Sequence, residues 1–563
     1  MKYLLKNKIN KLANAIGTEL IERDLVIRLS ILAIFAKESV FLLGPPGIGK
    51  SLISRKISSI FNNVKEFSVL MNKFTLTDEI FGPIDINKLK EGNFSRKMKG
   101  YLPDANVAFL DEIWKASSSI QNTLLTILNE KLFVNDGKLL HVNLYFVIAA
   151  SNELPERNQS LEALWDRFLI KFNVGSISDP QKFLAMVTDS RNLLNTKIIR
   201  PEEKLDFSLI DAIEKEAKNV VIPQKILDLI LEIKAEIEKR NLEVLRQNPF
   251  SDGFDQYYVS DRKWKKIINI LKVSAYLNER LEVDVTDFDV LPLMLWNTLE
   301  QLSFYEKLVN RYIYEYKYKQ IYDKRVNELK DLRQELIRLI THATVSEAIV
   351  IEAHTNPKGV EYYAFVDDRK QVYYFLKSEI DAIPTKARFS IDWLISYVSE
   401  EQFTEGLEPT AKLLFKYENS HFYLYEDNDE TKPTVQIYTN FITKQQTSYE
   451  IIPLNDAKRQ IWKSLTAKFI GSINDQASRI TTRFSENSSQ YNIFWDHNTK
   501  LANEKLAATA RDNLLGLAQK VRNLTADLAK LKYGFSVTST ESLCPLDLSL
   551  TDDLTKPVTS HEN

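Results

Sequence analysis

Apolar positions in the first 38 residues recur at helical spacing. Leu5, Ile9, Leu12 and Ile16 mark one predicted helix, and Ile27, Leu29, Ile31 and Ile34 with their neighbours mark a second. Ser39-Val40-Phe41-Leu42-Leu43 is then a short apolar run stopped by a glycine, the pattern of a buried strand. Val107 to Leu110 and Leu144 to Ala149 repeat it, with helical patterns over Ser51 to Phe61 and Ser117 to Leu132 between them. Strand alternating with helix predicts a largely parallel sheet with crossover helices. Residues 207–300 read as helical throughout.

From Leu293 to Asn356 there is neither Gly nor Pro, and Tyr322, Val326, Leu329, Leu332, Leu336 and Leu339 lie on one face of a long helix. After His342 the pattern changes. Ile349 to Ala353, Tyr362 to Val366, Val372 to Leu376, Phe422 to Tyr425 and Val435 to Tyr438 are β-branched and aromatic runs broken by turn residues. They predict a small β-rich module, with Ile391 to Val398 expected as a helix within it. Helical periodicity returns after Pro453. Ala507, Ala510, Leu514, Leu517, Val521, Leu524, Leu528 and Leu531 form a coiled-coil-like seam that needs a partner helix, for which 305–341 is the expected choice. A β module inserted in a helical stalk follows. Residues 536–563 are expected to be a disordered acidic tail.

Composition removes several function classes. The chain has 563 residues, 74 Lys+Arg against 76 Asp+Glu, and a net charge of −2. That near-neutral balance argues against a general polyanion binder. The single cysteine, Cys544, excludes an intrachain disulfide and a multi-cysteine zinc site, and suits a reducing compartment. No apolar run approaches the ~18 residues of a spanning helix. The amino terminus lacks a signal-peptide stretch, so a cytoplasmic location is expected.

The sharpest chemical signal is Gly44-Pro45-Pro46-Gly47-Ile48-Gly49-Lys50-Ser51, a complete G-x-x-x-x-G-K-[ST] between a strand and a helix. Its glycines let backbone N–H groups turn around phosphate oxygens, and the following helix adds its free donors and dipole. Lys50 supplies charge to the β- and γ-phosphates, and the Ser51 hydroxyl can ligate Mg²⁺. Asp111 and Glu112 end the second apolar run. Asp111 is placed to hold the metal through water, and Glu112 to polarise the attacking water.

These stretches, with Glu79-Ile80-Phe81-Gly82-Pro83, Gly100-Tyr101-Leu102-Pro103, Ile113-Trp114-Lys115-Ala116 and Ala149-Ala150-Ser151-Asn152-Glu153-Leu154-Pro155, resemble the MoxR branch of the AAA+ ATPases, and within it the regulatory ATPase variant A (RavA) type. The resemblance covers residues 20–300. It implies an ATP- and Mg²⁺-dependent ATPase: an αβα core over 1–200, a helical lid over 201–304, a helical stalk over 305–345 and 451–535, and a partner-docking β module over 346–450. It further implies that Asn152 is the sensor-1 side chain, Arg167 in Leu164-Trp165-Asp166-Arg167-Phe168 a finger acting in trans, and Arg262 the sensor-2 arginine of the lid. Spacing alone does not exclude Asn152 as a turn cap or Arg262 as part of a solvated basic face, and it favours Arg167 as a surface ion-pair partner, a reading the resemblance reverses.

A hairpin over 131–140 turning at Asn135-Asp136-Gly137 fits either the family's pore-side hairpin or a plain surface hairpin. The segment Asn72 to Asn93 resembles the family's insertion in its second helix. The resemblance implies a ring, expected as a hexamer, that remodels protein partners. A von Willebrand factor A-domain protein is the first partner expected, and a lysine decarboxylase is the client of some relatives. The competing class is a nucleic-acid motor of helicase or restriction-subunit type, which needs a basic stripe or stacking surface. Lys263, Lys265 and Lys266 are the one notable cluster, and they flank Arg262.

Overall fold

Five short runs build the central sheet: β1 (Ser39–Leu43), β2 (Glu66–Leu70), β3 (Val107–Asp111), β6 (Phe146–Ser151) and β7 (Phe168–Asn173). Their order is β2-β3-β6-β1-β7 with every neighbouring pair parallel. Between them in sequence, β4 (Leu132–Asn135) and β5 (Lys138–His141) form a separate hairpin. This is a computed structural model, and it describes residues 2–156, 159–188, 199–249, 253–382, 393–418, 421–425, 435–438, 441–485, 491–528 and 536–537. β1 and β6 are buried along their whole length, as expected of central parallel strands covered on both faces.

Two sheet strands were not anticipated from the apolar pattern. β2 is an edge strand with alternating exposure, so only part of it is apolar. β7 carries Lys171 in its middle, and this lysine is fully buried. Its ammonium donates to the Trp296 carbonyl at 3.1 Å and stands 4.2 Å over the Trp165 ring, partners that sequence pattern does not reveal.

The chain divides into two compact units: of the described residues, one takes 2–328 and 469–519, the other 329–468, 520–528 and 536–537. In the first unit, the helices Ser208–Ala217, Gln224–Gln247 and Asp261–Leu277 follow the sheet. Non-helical turns separate them, and Val221 pairs with Glu282 as an isolated bridge, so 207–300 is helix-rich but not continuously helical.

The first unit also takes in a corner from far down the chain, Asn492-Ile493-Phe494-Trp495. Asn492 is buried, donates to the Thr286 carbonyl and to Asp287 at 3.2 Å each, and accepts from Asn278 Nδ2 at 2.8 Å. Arg28, also buried, donates to Asn10 at 3.0 Å, to Asp24 at 2.8 Å and to the Ile493 carbonyl at 2.6 Å. The N-terminal helices, the helix Asp261–Leu277 and this corner therefore share one buried polar network. A half-satisfied network is costly. Asn492→Ala leaves Asn278 and Asp287 short of partners, and the first unit is expected to lose about 1–3 kcal/mol, read as a lower urea midpoint. An unchanged midpoint would mean the corner is not held by these bonds.

In the second unit a long antiparallel ribbon, β8 (Thr341–Ile351) with β16 (Phe441–Ile451), leads to a barrel. The barrel strands are β10 (Glu361–Asp367), β11 (Val372–Leu376), β12 (Trp393–Ser399), β13 (Ala411–Glu418), β14 (His421–Tyr425) and β15 (Val435–Tyr438). They close because β10 pairs with both β15 and β11, and the short β9 (Ala353–Thr355) adds to β10. Tyr363, Phe365, Tyr373, Phe375, Ile395, Leu424 and Ile437 fill the interior.

Four expectations change here. The helix expected at Ile391 to Val398 is strand β12 from Trp393 onward. Its backbone pairs with β11 on one side and β13 on the other, and this pairing overrides the helical reading. The β region begins at Thr341, directly after the helix Gln320–Ile340, and runs to Ile451, wider than 346–450. Ile340 rather than Leu339 completes the buried face begun by Leu329, Leu332 and Leu336. Ser536–Val537, expected in the tail, form strand β17 on β16. The rest of the expected tail, and Leu531 of the seam, lie outside the described residues.

The other seam positions, Ala507 to Leu528, are all buried. The helix Asp456–Ser485 lies against Gln320–Ile340: Arg325 donates to Gln476 at 2.8 Å in the first unit, and Lys458 to the Leu339 carbonyl at 2.7 Å in the second. Among the described residues no helix is long and apolar enough to cross a membrane.

Candidate functional site

The loop after β1 is shaped by close approach. A Cβ at Gly44 would lie 2.3 Å from the Val174 carbonyl oxygen, so no larger residue fits where the loop passes the end of β7. Gly49 has φ +85° and leads into the helix Lys50–Ser58 with no side-chain cap. That is the backbone conformation glycine adopts at no steric cost. Lys50 is buried, and its ammonium donates to the Gly44 carbonyl at 2.6 Å, which holds the charge across the mouth of the loop. Ser51, by contrast, is exposed at the helix start.

Asp111 ends β3 at the same edge of the sheet. Burial pushes its carboxyl up, while the Lys50 ammonium and the Glu112 amide, which donates to it at 3.1 Å, pull the other way. Glu112 sits at φ +52°, ψ +43°, a left-handed conformation that costs a non-glycine residue roughly 1–2 kcal/mol. Strain of this kind clusters at working sites. Two neighbours hold its side chain: the Ser151 hydroxyl donates to Oε2 at 3.3 Å, and the Lys115 ammonium lies 3.3 Å from the same oxygen. Neither neighbour was singled out from sequence, although both lie inside the family stretches. Ser151 is fully buried at the end of β6, and Asn152 follows it, exposed, at the same edge.

The loop, Lys50, Ser51, Asp111, Glu112 and Asn152 are thus gathered at the C-terminal ends of parallel strands, the position where open α/β sheets bind ligands. The donor set fits magnesium nucleotide. Mg²⁺ takes oxygen ligands and is bound by few protein groups together with substrate phosphates. Ser51 and Asp111 are the oxygen ligands this chain would supply.

The two arginines lie elsewhere. Arg167 immediately precedes β7, whose first residue pairs with Ser39 at the start of β1. Arg262, on the helix Asp261–Leu277, donates to Asp166 at 2.7 Å, and Lys266 of the same helix donates to buried Glu38 at 2.7 Å. The five residues of β1, at ~3.3 Å rise each, put this edge about 15 Å from the phosphate loop. The structure therefore brings Arg167 and Arg262 together, and brings neither to the chain's own loop. The Arg167 side chain is 14% exposed, and its Nε and Nη1 are buried without a hydrogen-bond partner among the described residues.

The expected hairpin is present. Asp136 and Gly137, both at positive φ, form its two-residue loop. Asn135 ties it to the 72–96 segment by accepting from the Arg96 amide at 2.7 Å. Val134 and Leu139 near its tip are exposed.

Comparison with known proteins shows the family. Residues 7–214 match the family described as the MoxR domain in the MoxR-vWA-beta-propeller ternary systems, and residues 225–309 match the AAA lid domain. Two uncharacterized proteins of Methanocaldococcus jannaschii are similar. One is 32% identical over 337 residues, covering 59% of this chain and 81% of that protein. The other is 33% identical over 339 residues, covering 59% and 84%. An uncharacterized protein of Bacillus subtilis is 27% identical over 220 residues, covering 38% of this chain and 65% of its own length.

Proposed function

The chain belongs to the MoxR family of AAA+ ATPases, and we propose that it works as a ring, a hexamer of the RavA type, that couples ATP hydrolysis to remodelling of a protein partner. The observation that carries this reading is the division of the catalytic groups between two edges of one sheet. Loop, metal ligands and water-activating acid stand at one edge, and Arg167 and Arg262 stand about 15 Å away at the other. Guanidinium groups suit a transferring phosphoryl group because they stay charged and contact two oxygens. A single subunit cannot complete this set, and a neighbour that offers its arginine edge to the loop edge does. On this reading both arginines act in trans. The site assignments are Gly44 to Ser51 for nucleotide, Ser51 and Asp111 for Mg²⁺, and Glu112 with Asn152 for the attacking water.

The partner class we propose is a protein with a von Willebrand factor A domain, since the matched family is described from systems that pair the two. The barrel of the second unit is the proposed docking module. Its ribbon ends where Ile351 pairs with Phe441, so joining these residues through an Asn-Gly turn removes the barrel and keeps the ribbon. This variant is expected to assemble and hydrolyse ATP like the full chain, yet fail to retain the partner. Light-scattering mass, phosphate release and co-purification read the three properties. A full-length chain that stays a 65.2 kDa monomer with ATP would overturn the ring, and loss of assembly in the variant would overturn the docking role.

A further inference from the structure

We propose that Asp166 is a positioning residue of the shared site: its carboxylate holds Arg262 of the lid beside Arg167 of the core, so that a subunit presents both guanidinium groups together to its neighbour's nucleotide. The inference rests on the trans reading above and adds the group that sets the geometry of the arginine edge.

One oxygen makes the link. Asp166 Oδ2 accepts from Arg262 Nη2 at 2.7 Å and lies 3.9 Å from Arg167 Nη1. The two arginines come from elements 95 residues apart, and each adjoins the same carboxylate, with Arg167 next to it in the chain. An exposed ion pair alone contributes little. This one differs in what lies behind it.

Lys171 of β7 and Lys263, the residue after Arg262, are both buried. Burial and mutual repulsion drive the Lys171 ammonium towards its neutral form, and burial lowers Lys263 as well, while the Asp166 charge acts against both shifts. Asp166 thus lies between an exposed arginine, Arg262, a mostly buried one, Arg167, and the two buried lysines. Without its charge Arg262 loses the acceptor that holds it and turns to solvent, and the guanidinium of Arg167 loses the carboxylate 3.9 Å away. Misplacing a catalytic group by about 1 Å costs on the order of 10²-fold in rate.

The alternative is that Asp166 only balances the buried lysines. Asp166→Glu separates the two roles, because it keeps the charge but moves the carboxylate by one methylene. Positioning predicts assembled rings that bind ATP as before, with KM little changed and kcat down by roughly 10-fold or more. Charge balance predicts wild-type turnover. Asp166→Asn should lower kcat on the order of 10²-fold, and turnover should recover on mixing with Lys50→Ala subunits, since an intact arginine edge then meets an intact loop.

Arg167→Ala mixed with Lys50→Ala is the control. If that mixture recovers and the Asp166→Asn mixture does not, or if Asp166→Glu turns over normally, the positioning role is overturned while the trans reading stands. If the control itself shows no recovery, the trans reading fails and the proposal fails with it.

Discussion

Glu112→Gln should bind ATP with near wild-type affinity and lose turnover by about 10²–10⁴-fold, the range of a positioned general base. The substitution is mild everywhere else. Glutamine keeps the side-chain length and still accepts from the Ser151 hydroxyl, which now donates to Glu112 at 3.3 Å. It cannot take a proton from water, and it gives up the ion pair with Lys115. That ion pair involves a partly exposed lysine, so its loss has a small effect on stability. Lys50→Ala should fail earlier, at binding. It removes the buried ammonium held on the Gly44 carbonyl, the one positive side chain in the loop. Titration with a fluorescent ATP analogue and a phosphate-release assay on the two variants separate binding from hydrolysis. Normal hydrolysis by Glu112→Gln would remove it as the water-activating group, whatever Lys50→Ala does.

How much of this could be read from the sequence depends on how local each feature is. The phosphate loop was legible because all its determinants lie within eight consecutive residues and the flanking strand and helix announce themselves. β3 with its paired acids was legible for the same reason. β7 was not, because Lys171 interrupts its apolar run and is accommodated by the Trp165 ring and by Trp296 and Asn297, the last two over a hundred residues away. The corner at Asn492 is similar, since its partners Asn278, Thr286 and Asp287 lie more than 200 residues back. β12 was misread because a short apolar run has no decisive period, and its two neighbouring strands settle the matter. Family motifs named Arg167 and Arg262, but no motif says that both stand at the strand edge opposite the loop. That placement comes from parallel pairing of β1 with β7 and from the lid helix reaching Glu38 and Asp166.

Arg167→Ala should lose turnover by ~10³–10⁵-fold, the range of arginine fingers in phosphoryl transfer, while its own loop still binds ATP. The argument is geometric. The guanidinium precedes β7 at the edge where β1 begins, and the chain's phosphate loop follows the other end of β1, so on the proposed ring reading the group lost by this variant would serve a different subunit's nucleotide. Its two buried nitrogens have no hydrogen-bond partner among the described residues, so within one subunit the side chain is packed but not satisfied. To bond a neighbour's phosphate oxygens, the guanidinium has to turn out of this packed position. The prediction for mixed rings follows directly. Arg167→Ala subunits carry an intact loop, Lys50→Ala subunits carry an intact arginine edge, and each is nearly inactive alone. At equal proportions a fraction of the interfaces pairs the two intact halves, so hydrolysis should reappear and follow the statistics of mixing. Arg262→Ala should behave in the same way, because the same carboxylate holds it at the same edge. Rings shown by mass to be mixed, yet with no more activity than either parent, would place these arginines outside the neighbour's site.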